Sequence, residues 1–455
     1  IKKKTPIPRA KPITAKSKMR RTEDFKYILH RRRIFLNIRF TLTQKGGFFK
    51  KLIKVILKGM IKSMTVTDEN KIKEILSRGV EEVIDRHRLE KRLLSGEKLR
   101  IKFGIDPTAS FLHFGHAVVL RKLQQFTDLG HQVVLLIGDF TATIGDPSGR
   151  LEERPLLNEK DVRQNMKEYL KQAGKILNIK KAEIQYNSKW YKKKKAEFFM
   201  ELTSKFTYAR LMDRAEFKKR IAEGGDVTLL ELTYPLLQGY DSVMLKADLE
   251  MGGTDQKFNL LMGRKVQKRF GLPEQDIMTV PLLVGTDGEK KMSKTSGNYI
   301  ALADSPGDMF AKLLTVPDKL IWQYALLLTD MPIEEIKKFQ TTSEIDIYEK
   351  KKELAFEIVR MVYGEKEAGK AKEEFRKVFS EKELPAEMEE FNVGGGMPLA
   401  DFLGEWLKIS KTEAKRLVSE KKAVTVNDQI IDNWDYLVKS GDIVKAGPRH
   451  FVKAK

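Results

Sequence analysis

Apolar positions along this chain change their spacing several times, and each change marks a new element. Over 70–94, Ile72, Ile75, Leu76, Val80, Val83 and Ile84 recur near the 3.6-residue period of a helix buried along one face. Residues 101–105 read as a short strand, Asp106-Pro107-Thr108 as a turn, and 117–129 as a helix. Residues 133–137 are an unbroken valine, leucine and isoleucine run, the pattern of a strand covered on both faces. Strands alternating with helices predict an α/β domain built on a doubly wound parallel sheet. Its ligand crevice then belongs beyond the carboxyl ends of the strands, where Gly138-Asp139 and the segment 144–149 (Ile-Gly-Asp-Pro-Ser-Gly) fall.

Downstream, 158–225 is mostly helical and charged. Its lysine run, Lys192 to Lys195, reads as a solvated helix face in preference to an RNA contact. The segments 227–242 and 249–259 precede a strand at 277–284. From 305 to 379 the pattern is helical, with Pro306, Pro317 and Pro332 near helix starts. An acidic stretch and three glycines make 385–396 a linker. The tail carries helices near 399–407 and 411–420 and short strands near 424–426 and 443–445. The expected organisation is a basic leader (1–63), a catalytic α/β domain (64–300) with a helical insertion at about 158–225, an α-helical domain (301–384), the linker, and a small α+β unit (397–455).

Charge changes the picture only once it is located. Of the 86 Lys and Arg, 20 fall in 1–63 against Glu23 and Asp24 alone, whereas 64–455 carries 66 against 61 acids. The body is nearly balanced, so the net +23 is weak support for nucleic-acid binding by the folded part. The leader has three readings: an upstream segment that is not translated, with Met64 as the start; a basic disordered arm that touches RNA; or an Arg-rich, acid-poor transit peptide. The absence of cysteine excludes a disulfide framework and thiolate metal sites. No apolar run reaches the length of a membrane span.

Two short segments carry candidate chemistry. His113 and His116, three apart at a helix start, share a face. A helix N-terminus attracts anions, and a neutral imidazole can donate to phosphate oxygens. Gly115 between them would let a ligand approach. The second segment, Lys291-Met292-Ser293-Lys294-Thr295, lies among Gly285, Gly288 and Gly297, as a mobile loop would. Its two ammonium groups could stabilise charge on a leaving pyrophosphate. Asp106, Asp146, Asp241 and Asp255 are each expected near glycine or proline in a loop at a strand end. One such aspartate is usually a turn former; four framing two basic motifs point to a polar small-molecule site.

These residues resemble class I aminoacyl-tRNA synthetases, and within them the bacterial-type tyrosyl-tRNA synthetases, over about 65–455. His-Phe-Gly-His at 113–116 and Lys-Met-Ser-Lys-Thr at 291–295 look like that class's two signatures. Asp106-Pro107-Thr108, 144–149, 234–241 and 252–256 look like motifs of the tyrosine enzymes, and 410–427 resembles an S4 RNA-binding domain. The resemblance implies a Rossmann-like catalytic domain, and a cytoplasmic homodimer that joins L-tyrosine to tRNA(Tyr) with ATP as substrate and Mg²⁺ alongside it. It implies that Asp146, Tyr234 and Gln238 hold the tyrosine ammonium, that Asp241 accepts the hydroxyl proton, and that Gln256 lies near the carboxylate. By the same resemblance Asp106 and Thr108 line the adenylate site, Gly253 and Asp255 the ribose, and His113, Gly115 and His116 contact ATP. Lys291 and Lys294 act on its leaving phosphates, Met292 and Ser293 belong to the same ATP site, and Lys411, Lys415 and Arg416 touch RNA.

The chain departs from the family pattern at three places. Lys102 stands where the better-known branch has a tyrosine that helps read the substrate hydroxyl; a second bacterial branch carries lysine there, and this chain is closer to it. Ser110-Phe111 replaces a more usual polar or Pro-Asp pair, and Pro448 interrupts an expected Gly-Lys-Arg. Three other readings compete: a tryptophan-specific relative, a small nucleotidyltransferase of the His-x-Gly-His type, and a non-catalytic RNA-binding protein on a dead synthetase. Asp241, the long helical region and the intact His and Lys motifs speak against them in turn.

Overall fold

The computed structural model describes residues 65–455 apart from 109, 148–158, 342–343, 381–388, 428 and 448–449. The leader, Ser148-Gly149, the first part of the expected linker and Pro448 lie outside the described residues.

In chain order the first part comprises α1 (Glu69–Ile75), β1 (Glu82–Ile84), α2 (Arg86–Leu94), β2 (Arg100–Ile105), α3 (Phe114–Asp128), β3 (Gln132–Ile137), α4 (Glu159–Ala173) and β4 (Glu183–Tyr186). The single helix expected over 70–94 is therefore two helices with a strand between them. Gly79 takes φ +61° after α1, and β1 pairs antiparallel with a later strand, so tertiary pairing overrides the helical period of Val80, Val83 and Ile84. Strand β4 interrupts the region expected to be mostly helical. After it come α5 (Ser188–Tyr191), α6 (Ala196–Ser204), α7 (Tyr208–Leu211), α8 (Ala215–Ala222), α9 (Leu229–Leu245), β5 (Leu249–Gly253), α10 (Lys257–Arg269) and β6 (Asp276–Val280).

The strands form a six-stranded sheet in the order β1-β6-β5-β2-β3-β4, parallel except for β1. The chain runs β2, β3, β4 in one direction, then returns through α5–α9 to place β5 on the other side of β2. The reversal between β2 and β5 opens a crevice at the carboxyl ends of the parallel strands. Strand β3 shows why its sequence is continuously apolar. Val133, Leu135 and Ile137 enter the core that α3 covers on one face, and Val134 and Leu136 enter the core against Trp190, Tyr191 and α9 on the other.

Helices α11 (Pro306–Leu314), α12 (Ile321–Leu328), α13 (Ile333–Thr341), α14 (Glu344–Tyr363) and α15 (Glu365–Ser380) follow. Ser305 caps α11 by accepting from the Asp308 amide, with Pro306 in its first turn. The last unit contains β7 (Glu389–Phe391), β8 (Met397–Pro398), α16 (Leu399–Leu407), α17 (Lys411–Ser419), β9 (Val424–Val426), β10 (Gln429–Ile430), β11 (Leu437–Val438), β12 (Ile443–Ala446) and β13 (His450–Ala454). Residues 389–391 of the expected linker are a strand, pairing parallel with β13. Phe402, Leu403, Val418, Val424, Val444 and Val452 build this unit's own core.

Candidate active site

A cavity of about 930 Å³ opens at the crevice between β2 and β5. Asp106 and Thr108 after β2, Gly138 and Asp146 after β3, Gly253, Asp255 and Gln256 after β5, and Lys291 to Thr295 beyond β6 all line it. The start of α3 adds His113, Gly115 and His116, and α9 adds Tyr234, Gln238 and Asp241. The cavity thus gathers every residue expected at the amino-acid and nucleotide sites, from Asp106 to Lys294, 188 positions apart.

The two histidines are parts of one helix cap. His113 is the N-cap of α3; its Nδ1 accepts from the Gly115 amide, and its own amide donates to Nδ1 of His116, both at 3.2 Å. With Nδ1 occupied as acceptor in each ring, the proton of the neutral form sits on Nε2 and can be donated onward. Burial, the facing imidazole, and the charges of Lys294 and Lys291 hold His113 far below its ordinary value. Burial and then Lys294 lower His116 to about 3. Gly115 lines the cavity, and its lack of a side chain also serves the cap, since a Cβ there would meet Cε1 of His113 at 2.9 Å.

At the opposite, buried end, Asp241 is 3 % exposed. Its Oδ1 accepts from Trp190 Nε1 at 2.9 Å and its Oδ2 from Asn187 Nδ2 at 3.3 Å. Burial raises its pKa to about 6 against the opposing charge of Lys102. Asn187 also donates to Thr141 Oγ1, Thr141 donates to Asp106 Oδ1 at 2.8 Å, and the Tyr234 hydroxyl donates to Asp106 Oδ2 at 2.9 Å. Gly138 makes this possible, because a Cβ there would fall 1.9 Å from Asp106 Oδ1. Asp146 accepts from Gln256 at 2.7 Å and from Asn259 at 3.3 Å, and Asn259 also donates to Gln238 Oε1 at 3.0 Å. A buried guanidinium, Arg214, donates to Asn259 Oδ1 from behind.

At the open end, Lys291 Nζ lies 2.8 Å from Asp255 Oδ2, and Lys294 Nζ donates to the Tyr169 hydroxyl at 2.8 Å. The Met292 amide donates to Leu283 O, and the Ser293 amide to Asn298 Oδ1. These bonds pin the lysine loop to the segment beyond β6.

Sequence reasoning passed over Asn187, Trp190, Thr141, Asn259, Arg214 and Glu250. Glu250 carried a signal, a carboxylate in the middle of an otherwise apolar strand; the others are set by contacts distant in sequence. Lys411, Lys415 and Arg416 lie on α17, far along the chain from the cavity's residues. Lys411 pairs with Asp401, Lys415 Nζ sits 3.4 Å from the Trp434 ring centroid, and Arg416 lies between Glu413 and Glu420.

The family model of class I tRNA synthetases of the tryptophan and tyrosine type matches residues 94–380. A tyrosine–tRNA ligase of Dehalococcoides mccartyi is 47 % identical over 392 residues, 85 % of this chain and 99 % of that protein. One from Thermotoga maritima is 45 % identical over 394 residues, 85 % of this chain and 98 % of that protein. Among solved structures, a C-terminally truncated mitochondrial tyrosyl-tRNA synthetase of Aspergillus nidulans shares the fold with a TM-score of 0.58 at 23 % identity, over 68 % of this chain and 94 % of that one.

Proposed function

This chain belongs to the class I tRNA synthetases of the tryptophan and tyrosine type, its activity is tyrosine–tRNA ligation, and we propose that the cavity between β2 and β5 is where tyrosine is activated. One observation carries the assignment: a single cavity has a buried carboxylate at its closed end and two imidazoles with two ammonium groups towards its open end.

The substrate side chain enters towards Asp241, which accepts the phenolic proton. Asp146, Tyr234 and Gln238 surround the ammonium, and Gln256 lies beside the carboxylate. Gly253 and Asp255 receive the ribose of ATP, and Asp106 and Thr108 line the adenylate. The substrate carboxylate attacks the α-phosphorus and pyrophosphate leaves. Nε2–H groups of His113 and His116, with Lys291 and Lys294, stabilise the charge that builds on the phosphates. Such stabilisation needs no protein nucleophile. The terminal ribose hydroxyl of tRNA(Tyr) then takes the tyrosyl group. Mg²⁺ accompanies the nucleotide. Among the described residues no group of three or more His, Asp or Glu is assembled to hold a metal, so the chain's own share of the charge stabilisation is its imidazoles and lysines.

Selectivity follows from Asp241. Phenylalanine leaves it unpaired, and rejection of a substrate lacking the expected hydroxyl reaches about 10⁵; the best-known case is an enzyme of this very type, and its magnitude is taken over here. Tryptophan likewise brings no hydroxyl to meet the carboxylate. ATP–pyrophosphate exchange tests the assignment: tyrosine should support it, and Asp241→Asn should abolish the preference over phenylalanine. Exchange supported by tryptophan, or a preference untouched by the substitution, overturns it.

Further partners follow. Exposed Met200, Tyr208 and Ile221 on the helices before α9, with Leu229 at the start of α9, support a homodimer through that insertion. The lysines of α17 and the helices α11–α15 are the proposed RNA-facing parts, Lys411, Lys415 and Arg416 exchanging their present partners for phosphates. No described helix is long and apolar enough to cross a membrane, and the cytoplasm, where tRNA is charged, is the proposed site of action.

A further inference from the structure

Lys102 on β2 is 0 % exposed, yet it is among the residues that line the cavity. It donates to Gln238 O at 2.7 Å and Ser242 Oγ at 2.9 Å, and lies 2.7 Å from Glu250 Oε1. Three donors meet three acceptors, so none is left over for a ligand. Glu250, equally buried, accepts further from Gln238 Nε2, Ser242 Oγ and Gln275 Nε2. A buried ion pair is a poor stabiliser, because desolvation of both charges offsets their attraction. An apolar pair would hold β2 to β5 as well, so the charges here call for a role beyond packing.

Gln238 and Ser242 stand on either side of Asp241 in α9, and the lysine grips both. The other elements around Asp241 bring neutral groups: Asn187, Trp190 and Tyr191 from the end of β4 and α5, the Tyr191 hydroxyl donating to Leu237 O, and Tyr240 from α9 itself. Lys102 is the cation that acts on Asp241, and Glu250 stands on the lysine.

We propose that Lys102 is a positioning residue that keeps Asp241 anionic, that Glu250 limits how much of the lysine's charge Asp241 feels, and that discrimination of a phenol from a bare phenyl ring depends on this balance. The inference rests on the assignment of Asp241 to the substrate hydroxyl. An anionic carboxylate requires a donor and penalises phenylalanine; a protonated one has lost that demand. Burial alone pushes Asp241 towards the protonated form, and Lys102 opposes it.

The test compares kcat/KM for tyrosine and for phenylalanine in ATP–pyrophosphate exchange between pH 5 and 9. It uses the parent, Lys102→Met, Lys102→Gln, Glu250→Gln and Asp241→Asn. In the parent the tyrosine preference declines below a midpoint near pH 6. Removing the lysine charge moves that midpoint up by about one to two pH units. At pH 7 the preference then drops about 2- to 10-fold and recovers by pH 9. Lys102→Gln retains a donor for Gln238 O and should behave as Lys102→Met does, which covers the case in which the methionine variant does not fold. Glu250→Gln unmasks the lysine and moves the midpoint down. A structural lesion would instead depress the preference in all variants at every pH. Unmoved midpoints, shifts of the same sign in the Lys102 and Glu250 variants, or loss without recovery at pH 9 overturn the proposal. A preference intact in Asp241→Asn would overturn the underlying site assignment instead.

Discussion

Lowering the pH from 8 to 5 protonates histidine throughout the unfolded chain but leaves three folded imidazoles uncharged, those of His113, His116 and His131. His113 is 8 % and His131 5 % exposed. Burial holds both imidazoles neutral, His131 down to about 4 and His113 further. The His131 ring accepts from the Leu99 amide through Nδ1, and its Nε2 has no partner among the described residues. A base whose folded pKa is depressed costs nothing above its unfolded value, near 6.5, and progressively more below it. At pH 5 that cost is RT ln(1 + 10^1.5), about 2 kcal/mol per histidine and about 4 kcal/mol for the pair. For His113 the figure does not depend on how far below 5 its pKa lies. Two more buried groups titrate in this window and nearly cancel. Lys122, lowered to about 7 by burial and then by the charges of Arg121 and Arg78, adds a loss of about 1.4 kcal/mol between pH 8 and 5. Asp241, raised to about 6, gains a similar amount as it protonates. His116 also stays neutral, but its ring borders the cavity and is part-exposed, so its share is discounted. The net loss of about 4 kcal/mol is large against a total stability of about 5–15 kcal/mol. Urea unfolding followed by circular dichroism at pH 8 and 5 reads it directly. His131→Asn, which keeps an acceptor for Leu99, should remove about half of the difference whatever it does to stability at pH 8. Equal urea midpoints at the two pH values, or a difference unaltered by His131→Asn, would refute the reasoning.

Lys291→Ala should slow pyrophosphate exchange by about 10²–10³, while melting stays within a few degrees, because its ion pair with Asp255 is part-exposed; a rate within twofold of the parent sinks the role given to that ammonium. Gly138→Ala should raise the KM for tyrosine about tenfold or more, because the new Cβ breaks the Asp106–Thr141 hydrogen bond; an unchanged KM in steady-state kinetics contradicts this. Removal of residues 389–455, taking β7 with the unit it pairs into, should spare pyrophosphate exchange and impair tRNA charging, and full charging activity would remove the tail from the RNA-binding surface.

Much of the site was legible because its signatures are short. The His113–His116 and Lys291–Lys294 segments each hold their chemistry within five residues, and the expected strand ends at Asp106, Gly138 and Asp255 are where the sheet delivers them. Strand β3 was legible because burial on both faces leaves no polar position in 133–137. What stayed hidden depends on partners far away in the sequence. Strand β1 looks helical until Glu82, Val83 and Ile84 meet Thr279, Met278 and Ile277. Lys102 and Glu250 are separated by 148 positions of chain and declare themselves only as a pair. Strand β4 was masked by the lysines around it, although Ile184 and Tyr186 alternate as a strand's residues do. Residues 389–391 read as linker because two of the three are glutamates, which an edge strand tolerates.

The wiring of the helix cap has a consequence for how this sequence can drift. His113 offers its amide to the His116 ring while its own ring accepts from the Gly115 amide, so each imidazole satisfies a different backbone group of the first turn. Exchange of either ring strands one amide and leaves the other bond with both its partners. The loss of one ring therefore does not release the other, and the two positions stay under separate constraint as the chain drifts.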